Sequence, residues 1–306
     1  MIWIALAIAA SIAAGVEAER RAGARAGVWA RTILKVLLYA VMPLIAFFNI
    51  ARLEVNADVG VGIVLGWSAL ALTALVGWTA GRRLLHLAPP SAGVLAIVGL
   101  QANTGLMGVA VAGAILGFDH VSEAVAYDAL VQQPVFFIGS FAIAAATGTR
   151  AGETVAQRVR AFFVRNPPLA AVALALVAPD ALAPDVLVDA SRILVLCVPV
   201  LGFFAVGVTL AEEAEDGALK FPPPLTAPIG AAILLRGVVA PALLLALAAP
   251  VIDLPAAFLL AATMPAGLHI VALAHIYGLD LPFAAGAIAW TTMVAVPVLL
   301  LASVIV

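Results

Sequence analysis

Residues 93–117 read GVLAIVGLQANTGLMGVAVAGAILG, an apolar run with Gln101, Asn103 and Thr104 near its centre and Gly105 and Gly108 close behind. Residues 258–278 read FLLAATMPAGLHIVALAHIYG, with Thr263, Pro265, Gly267 and His269 in the corresponding place. Pro265 removes a backbone donor and clashes with the carbonyl four residues earlier, which breaks the helical ladder. Gly105 and Gly108 let backbone approach closely or leave the helical region. A helix broken inside hydrocarbon frees N–H and C=O groups, so each break must meet a cavity, a ligand or other protein. The second half of each broken helix then offers N–H donors and a positive dipole end, which suits a carboxylate or phosphate. The competing reading of 93–117 is close helix packing over Gly105, Gly108, Gly113 and Gly117. It does not account for Gln101, Asn103 and Thr104, although each could cross-link helices.

The rest of the chain agrees with a bilayer setting. Of 306 residues, 65% are hydrophobic and 10% charged, with a mean hydropathy of +1.19; soluble domains carry roughly 25% charge. Net charge is near zero and basic residues never cluster with aromatics, so nucleic acid has no electrostatic footprint. Cys197 is the only cysteine, which excludes an intrachain disulfide, and it reads as a small buried hydrophobe. The opening MIWIALAIAASIAAGV lacks a preceding basic residue and is followed by Arg20, Arg21 and Arg25, so it reads as a retained first span.

Apolar runs between charged or Pro/Gly-rich breaks predict ten spans, near 1–16, 28–50, 60–80, 91–117, 125–147, 167–179, 190–211, 225–249, 255–277 and 282–305. The sixth is weak: it is a short span, or half of one continued through ALAPDVLVDA. Twelve basic residues fall in or beside alternate loops: Arg20, Arg21, Arg25, Arg31, Lys35, Arg82, Arg83, Arg150, Arg158, Arg160, Arg165 and Lys220. The opposite loops have Arg52 and Arg192. The basic loops are therefore expected in the cytoplasm and both termini outside.

Punctuation recurs between the halves. Pro43 and Pro199 lie 156 residues apart, Pro134 and Pro297 lie 163 apart, and Asn103 and Pro265 lie 162 apart. Five spans per half place the halves in opposite orientation, the pattern of an inverted-repeat transporter. The predicted organisation is a first five-helix repeat over 1–148, a cytoplasmic linker over 149–165 and a second repeat over 166–306.

Within this frame, LLYAVMPLIAFFNIA, NTGLMGVAVAGAILG, RNPPLAAVALAL, VPVLGFFAVGVTLAE and MPAGLHIVALAHIYG occur in an order that resembles the auxin efflux carrier family, related in fold to sodium–bile acid symporters. The resemblance covers essentially the whole chain. It implies an all-α polytopic fold of ten transmembrane helices in two inverted five-helix repeats, with helices four and nine broken and crossing at midplane. It maps Asn103, Thr104 and Gly105 to one side of the crossover, and Met264, Pro265 and Ala266 to the other. Asn49 corresponds to a polar contact from the scaffold side. Gln101, Gly267 and Gln133 join these as candidate substrate contacts from their own positions.

Two departures from the family pattern stand out. His269 follows the crossover, where a ring could reach an anion bound at the N–H groups, and helix packing is the equal alternative. Arg236 lies alone inside LTAPIGAAILLRGVVAPALLLALAA, where an anionic substrate or a cluster of carbonyls must be its partner. No acidic residue within a span stands out as a cation ligand, although carbonyls at the breaks could hold sodium. No Walker loop, metal-spaced Cys/His set or catalytic triad signature appears, and no cofactor is expected.

The function expected is a secondary transporter, for efflux or uptake, of a small organic anion such as a mono- or dicarboxylate, working by alternating access in a bacterial inner membrane. Proton or sodium coupling and a homodimer stay open. A ligand sensor or receptor on the same fold is the alternative; a membrane enzyme, with His269 as its single candidate base, ranks lowest. The charge bias yields a direct test of orientation. A reporter active only outside the cytoplasm is expected to be active when fused after Val306, and activity of a cytoplasm-only reporter there would reverse the topology.

Overall fold

The computed structural model describes residues 2–53, 57–150, 154, 156, 167–215 and 223–305. The protein is an all-α, multi-span membrane protein: among the described residues six helical stretches are long and apolar enough to cross a bilayer, namely Ala24–Ile50, Asp58–Leu84, Phe118–Thr147, Asp185–Thr209, Ala227–Ala248 and Leu281–Leu301. We name the helices α1 (Ile2–Ala22), α2 (Ala24–Ile50), α3 (Asp58–Leu84), α4 (Pro89–Leu100), α5 (Thr104–Ile115) and α6 (Phe118–Thr147). The remaining helices are α7 (Pro167–Ala175), α8 (Asp185–Val195), α9 (Cys197–Glu215), α10 (Ala227–Ala248), α11 (Ala256–Ala262), α12 (His269–Tyr277) and α13 (Leu281–Ile305). Among the described residues the one extended pairing is a single antiparallel bridge between Ala102 and Ala266.

Long helices arise here because hydrocarbon forbids unpaired backbone, so even sequences rich in Val and Ile close their ladders internally. Lipid gives no hydrophobic drive for helix pairing, so small residues that let backbones meet must provide it. α1 and α9 meet in this way. A Cβ at Gly15 would lie 2.2 Å from the Phe204 carbonyl oxygen, and one at Gly207 would lie 2.2 Å from that of Ile12. Elsewhere α2 packs against α7 and α8, α3 against α4 and α10, and α13 against α10 and α12. Outward faces carry exposed Trp29, Tyr39, Val64, Leu75, Leu245 and Val298, as a lipid-facing surface should.

Prolines reshape the long helices without ending them. Pro43, Pro134 and Pro241 each come after a widened π-type turn, over Leu37–Val41, Tyr127–Gln132 and Leu235–Val239. Such turns absorb the clash of the ring with the carbonyl four residues back. The carbonyl freed by Pro134 belongs to Leu130, and it accepts the indole N–H of Trp67 at 2.9 Å. α3 is thus tied to α6 at the site of the defect.

Several boundaries differ from the sequence reading. α1 continues beyond residue 16 to Ala22, where Glu17 and Arg21 pair along the helix at 2.7 Å. The fifth stretch begins at Phe118 instead of residue 125. In the sixth, α7 ends at Ala175 and a separate helix starts at Asp185, so the run through ALAPDVLVDA does not continue it. Cys197 is exposed, not buried: it opens α9, where an apolar thiol can face lipid without penalty. Most of the expected linker, together with Arg158, Arg160, Arg165, Lys220 and Val306, lies outside the described residues.

The charged ends separate the two faces of the bundle. Arg52 donates to Asp185 at 2.8 Å, and Arg192 reaches Asp119 at 3.8 Å, where α2 ends and α6 and α8 begin. At the other end Arg31 faces Glu212 at 3.8 Å, and the Arg150 backbone N–H holds the Tyr277 carbonyl at 3.0 Å. The glycine contact between α1 and α9 is open to test. Gly207→Leu is expected to lower stability in detergent by about 1–3 kcal/mol through overpacking. Gly230→Ala, where a Cβ meets nothing within 4 Å, should leave the melting temperature level or raised. Equal melting of both variants would remove the close approach from the fold.

Candidate substrate-binding site

Two apolar stretches are interrupted, and the interruptions meet. α4 ends at Leu100, after which Gln101 turns extended at φ −104°, ψ 106°. α11 ends at Ala262, and helix resumes at His269. Between them, the Asn103 N–H donates to the Pro265 carbonyl at 2.8 Å and the Gly267 N–H donates to the Gln101 carbonyl at 3.0 Å. The Ala266 N–H donates to the Thr291 hydroxyl at 3.1 Å. Each strip therefore completes part of the backbone of the other, and Thr291 of α13 accepts one further N–H.

The carbonyls left at the ends of α4 and α11 converge on Arg236. Its guanidinium donates to the oxygens of Gly99 at 3.1 Å, Ala262 at 3.0 Å and Met264 at 3.2 Å. The side chain is 1% exposed and lines no part of the neighbouring cavity. Of the two partners open to this arginine, the cluster of carbonyls is the one found. A planar fork with five donors suits carbonyls from two chain segments, and its charge opposes the negative ends of two helices. Gln132 closes the set by donating to the Leu100 carbonyl at 2.8 Å.

The opposite pole stays open. A cavity of about 620 Å³ starts at the crossing and extends toward the end that carries Arg31 and Arg150, past Leu34, His275 and Ile276. Of the sequence candidates, Gln101, Asn103, Thr104, Gly105, Gln133 and His269 line it. Met264, Pro265 and Gly267 hold the backbone behind its wall. Asn49 lies elsewhere: its amide donates to Ser191 at 3.0 Å and to the Ile45 carbonyl at 2.9 Å, joining α2 to α8.

Asn103 precedes the first residue of α5 but makes no side-chain cap. An asparagine there ordinarily accepts from an N–H of the first turn. Among the described residues its side chain has no hydrogen-bond partner, so the amide and the first-turn N–H groups face the cavity together. Gln101 is committed, donating to Ser140 at 3.0 Å. His269 is exposed to the cavity, with its ring 4.7 Å from that of Phe136.

One acidic side chain within a span, which the sequence reading did not single out, lines the cavity. Asp128 is 5% exposed, with the Thr104 hydroxyl donating to its carboxylate. Gln133 is the other side chain set against it. A span starting at 125, as the sequence predicts, puts Asp128 only three residues from its end. With helix from Phe118 it lies ten residues in, about 15 Å along the axis. Helical continuity upstream was the signal that could have found it.

Among the described residues no group of three His, Cys, Asp or Glu side chains is placed to hold a metal ion. No family model matches the chain, and no curated protein sequence matches it. Geometry alone therefore defines this site: a wall built from two interrupted helices, locked from behind by one arginine.

The lock can be removed. Arg236→Met leaves three buried carbonyls without their donor, at about 1–3 kcal/mol each. A large drop in melting temperature is expected. Arg236→Lys should recover only part of it, because an ammonium cannot reproduce the fork. An unchanged melting temperature for Arg236→Met would contradict this account.

Proposed function

We propose that this protein is a secondary carrier for a small organic anion, built on ten membrane segments in two inverted repeats and akin to the auxin efflux carrier family. The observation that carries the reading is the unspent amide of Asn103, set beside the N–H groups that open α5. Support for the repeat comes from packing that exchanges between halves: α1 lies along α9 as α7 lies along α2. The paired breaks, at 101–103 and 263–268, stand in corresponding places of the two halves.

Alternating access is supported by the one-sided cavity. Its lining belongs to the end of the bundle where the basic residues gather, while beyond the crossing Val121, Ala257, Phe258 and Ala261 are fully packed. With basic loops in the cytoplasm and both termini outside, this is an inward-open state of a bacterial inner-membrane protein. The substrate reaches the crossing from the cytoplasm, and movement of one helix group against the other exposes it outside. A sodium-independent cycle is supported by the carbonyls of two helix ends, the kind of group that coordinates sodium in such carriers, accepting from Arg236.

A receptor on the same fold would use the same cavity without turnover. Purified protein in sodium-free liposomes is expected to accumulate succinate or phenylacetate in a saturable way. Asn103→Ala should insert normally but lose roughly tenfold or more in flux, matching about 1–3 kcal/mol for an unpaired polar partner. Saturable binding with no flux in competent vesicles would favour the receptor, and unchanged affinity and flux in Asn103→Ala would assign the residue to packing.

A further inference from the structure

Asp128 is unused by the carrier reading, and its position conflicts with it. Its carboxylate packs on the same turn that would hold the anion: a Cβ at Gly105 would lie 3.3 Å from both carboxylate oxygens. Among the described residues no Lys, Arg or His nitrogen lies within ion-pair distance of it. The elements packed against Tyr127–Gln132 are α3, α5, α7 and α11. α5, α7 and α11 contain no titratable side chain, and α3 carries Asp58 at one end with Arg82 and Arg83 at the other. On its own helix, Tyr127 stacks edge-on against Phe258, and Glu123 is paired with His120 at 3.1 Å. Across the cavity stand His269 and His275. Arg236, the cation built into the crossing, is spent on carbonyls.

An ionised Asp128 and a bound anion would therefore be two like charges in an apolar-walled cavity with no fixed cation between them, and water screens such a pair poorly once displaced. A proton on the carboxyl removes the conflict and turns Asp128 from an acceptor into a donor toward the anion. We infer that Asp128 is the proton-binding site of this carrier, so that each anion loads together with one proton and both leave on the far side. This rests on the carrier reading and extends it to anion–proton symport. The step is balanced: the proton binds a carboxylate oxygen on loading and dissociates from it on release, with no other reactant.

Titration calorimetry of the full-length protein, with succinate and phenylacetate in sodium-free buffers of different ionisation enthalpy, counts the protons. The parent is expected to take up about one proton per anion, with affinity falling about tenfold per pH unit where the carboxyl is ionised. Asp128→Asn should bind without proton uptake and with pH-independent affinity, while His269→Gln, whatever affinity it keeps, should still take up one proton per anion bound. In proteoliposomes, anion entry should acidify the lumen of the parent and not that of Asp128→Asn. Binding by the parent without proton uptake at every pH from 5 to 8, and with pH-independent affinity, overturns the proposal and leaves the carrier reading standing; should Asp128→Asn fail to fold, that count on the parent still decides. Uptake lost in His269→Gln but kept in Asp128→Asn also overturns it, in favour of the histidine. Alanine bound without proton uptake, and lost in Asp128→Asn, would give the carboxylate to a substrate ammonium instead. Absence of saturable anion binding at every pH from 5 to 8 by folded protein removes both the carrier reading and the proton site.

Discussion

The guanidinium of Arg236 forks across three carbonyls from two separate chain segments, and the crossing depends on that one contact. Two apolar helices cannot stop inside a bilayer unless every freed backbone group finds a partner. The bridge at Ala102 and Ala266 pairs some of those groups, and Thr291 and Gln132 pair others. What remains is carbonyl, gathered at two negative helix ends, and only a buried cation answers both the hydrogen bonds and the dipoles. The cost of burying a charge is offset here because its donors meet fixed oxygens on all sides.

Satisfying the carbonyl ends from behind leaves the amide ends in front. α5 and α12 open toward the cavity, and neither start is capped by a side chain. The same asymmetry separates structural polar groups from available ones. Gln101, Gln132 and Thr104 are held by Ser140, Leu100 and Asp128, while Asn103 is held by nothing among the described residues. A ligand with negative charge would complement that pole, and Asp128 lines the same cavity.

The rest of the bundle serves to bring these pieces to one depth. Glycine contacts between α1 and α9 bring backbones together where lipid supplies no hydrophobic drive. The π-type turns before Pro43, Pro134 and Pro241 rotate the helical segments C-terminal to them, and one of these turns carries Arg236 itself. The carbonyl freed at Leu130 by Pro134 is taken by Trp67.

Much of this was legible in order along the chain. Composition declares the bilayer, because a fold with 10% charge has no way to cover itself in water. Pro265 and the glycines after Asn103 declare the breaks, because ladder geometry is local. Partners were not legible, because they join residues far apart in the chain: Arg236 to Gly99, Asn49 to Ser191 and Gln101 to Ser140. Asp128 was hidden for a related reason, since its depth depends on where α6 begins and its role on the turn at Thr104 that folds against it. The sequence by itself determined that two helices would break and that a charge would be buried near them. Only the tertiary structure decided that the arginine would serve the backbone, and that a carboxylate would share the cavity with Asn103. Burial and pairing of polar groups are settled by what surrounds each atom in space, and no local pattern carries that information.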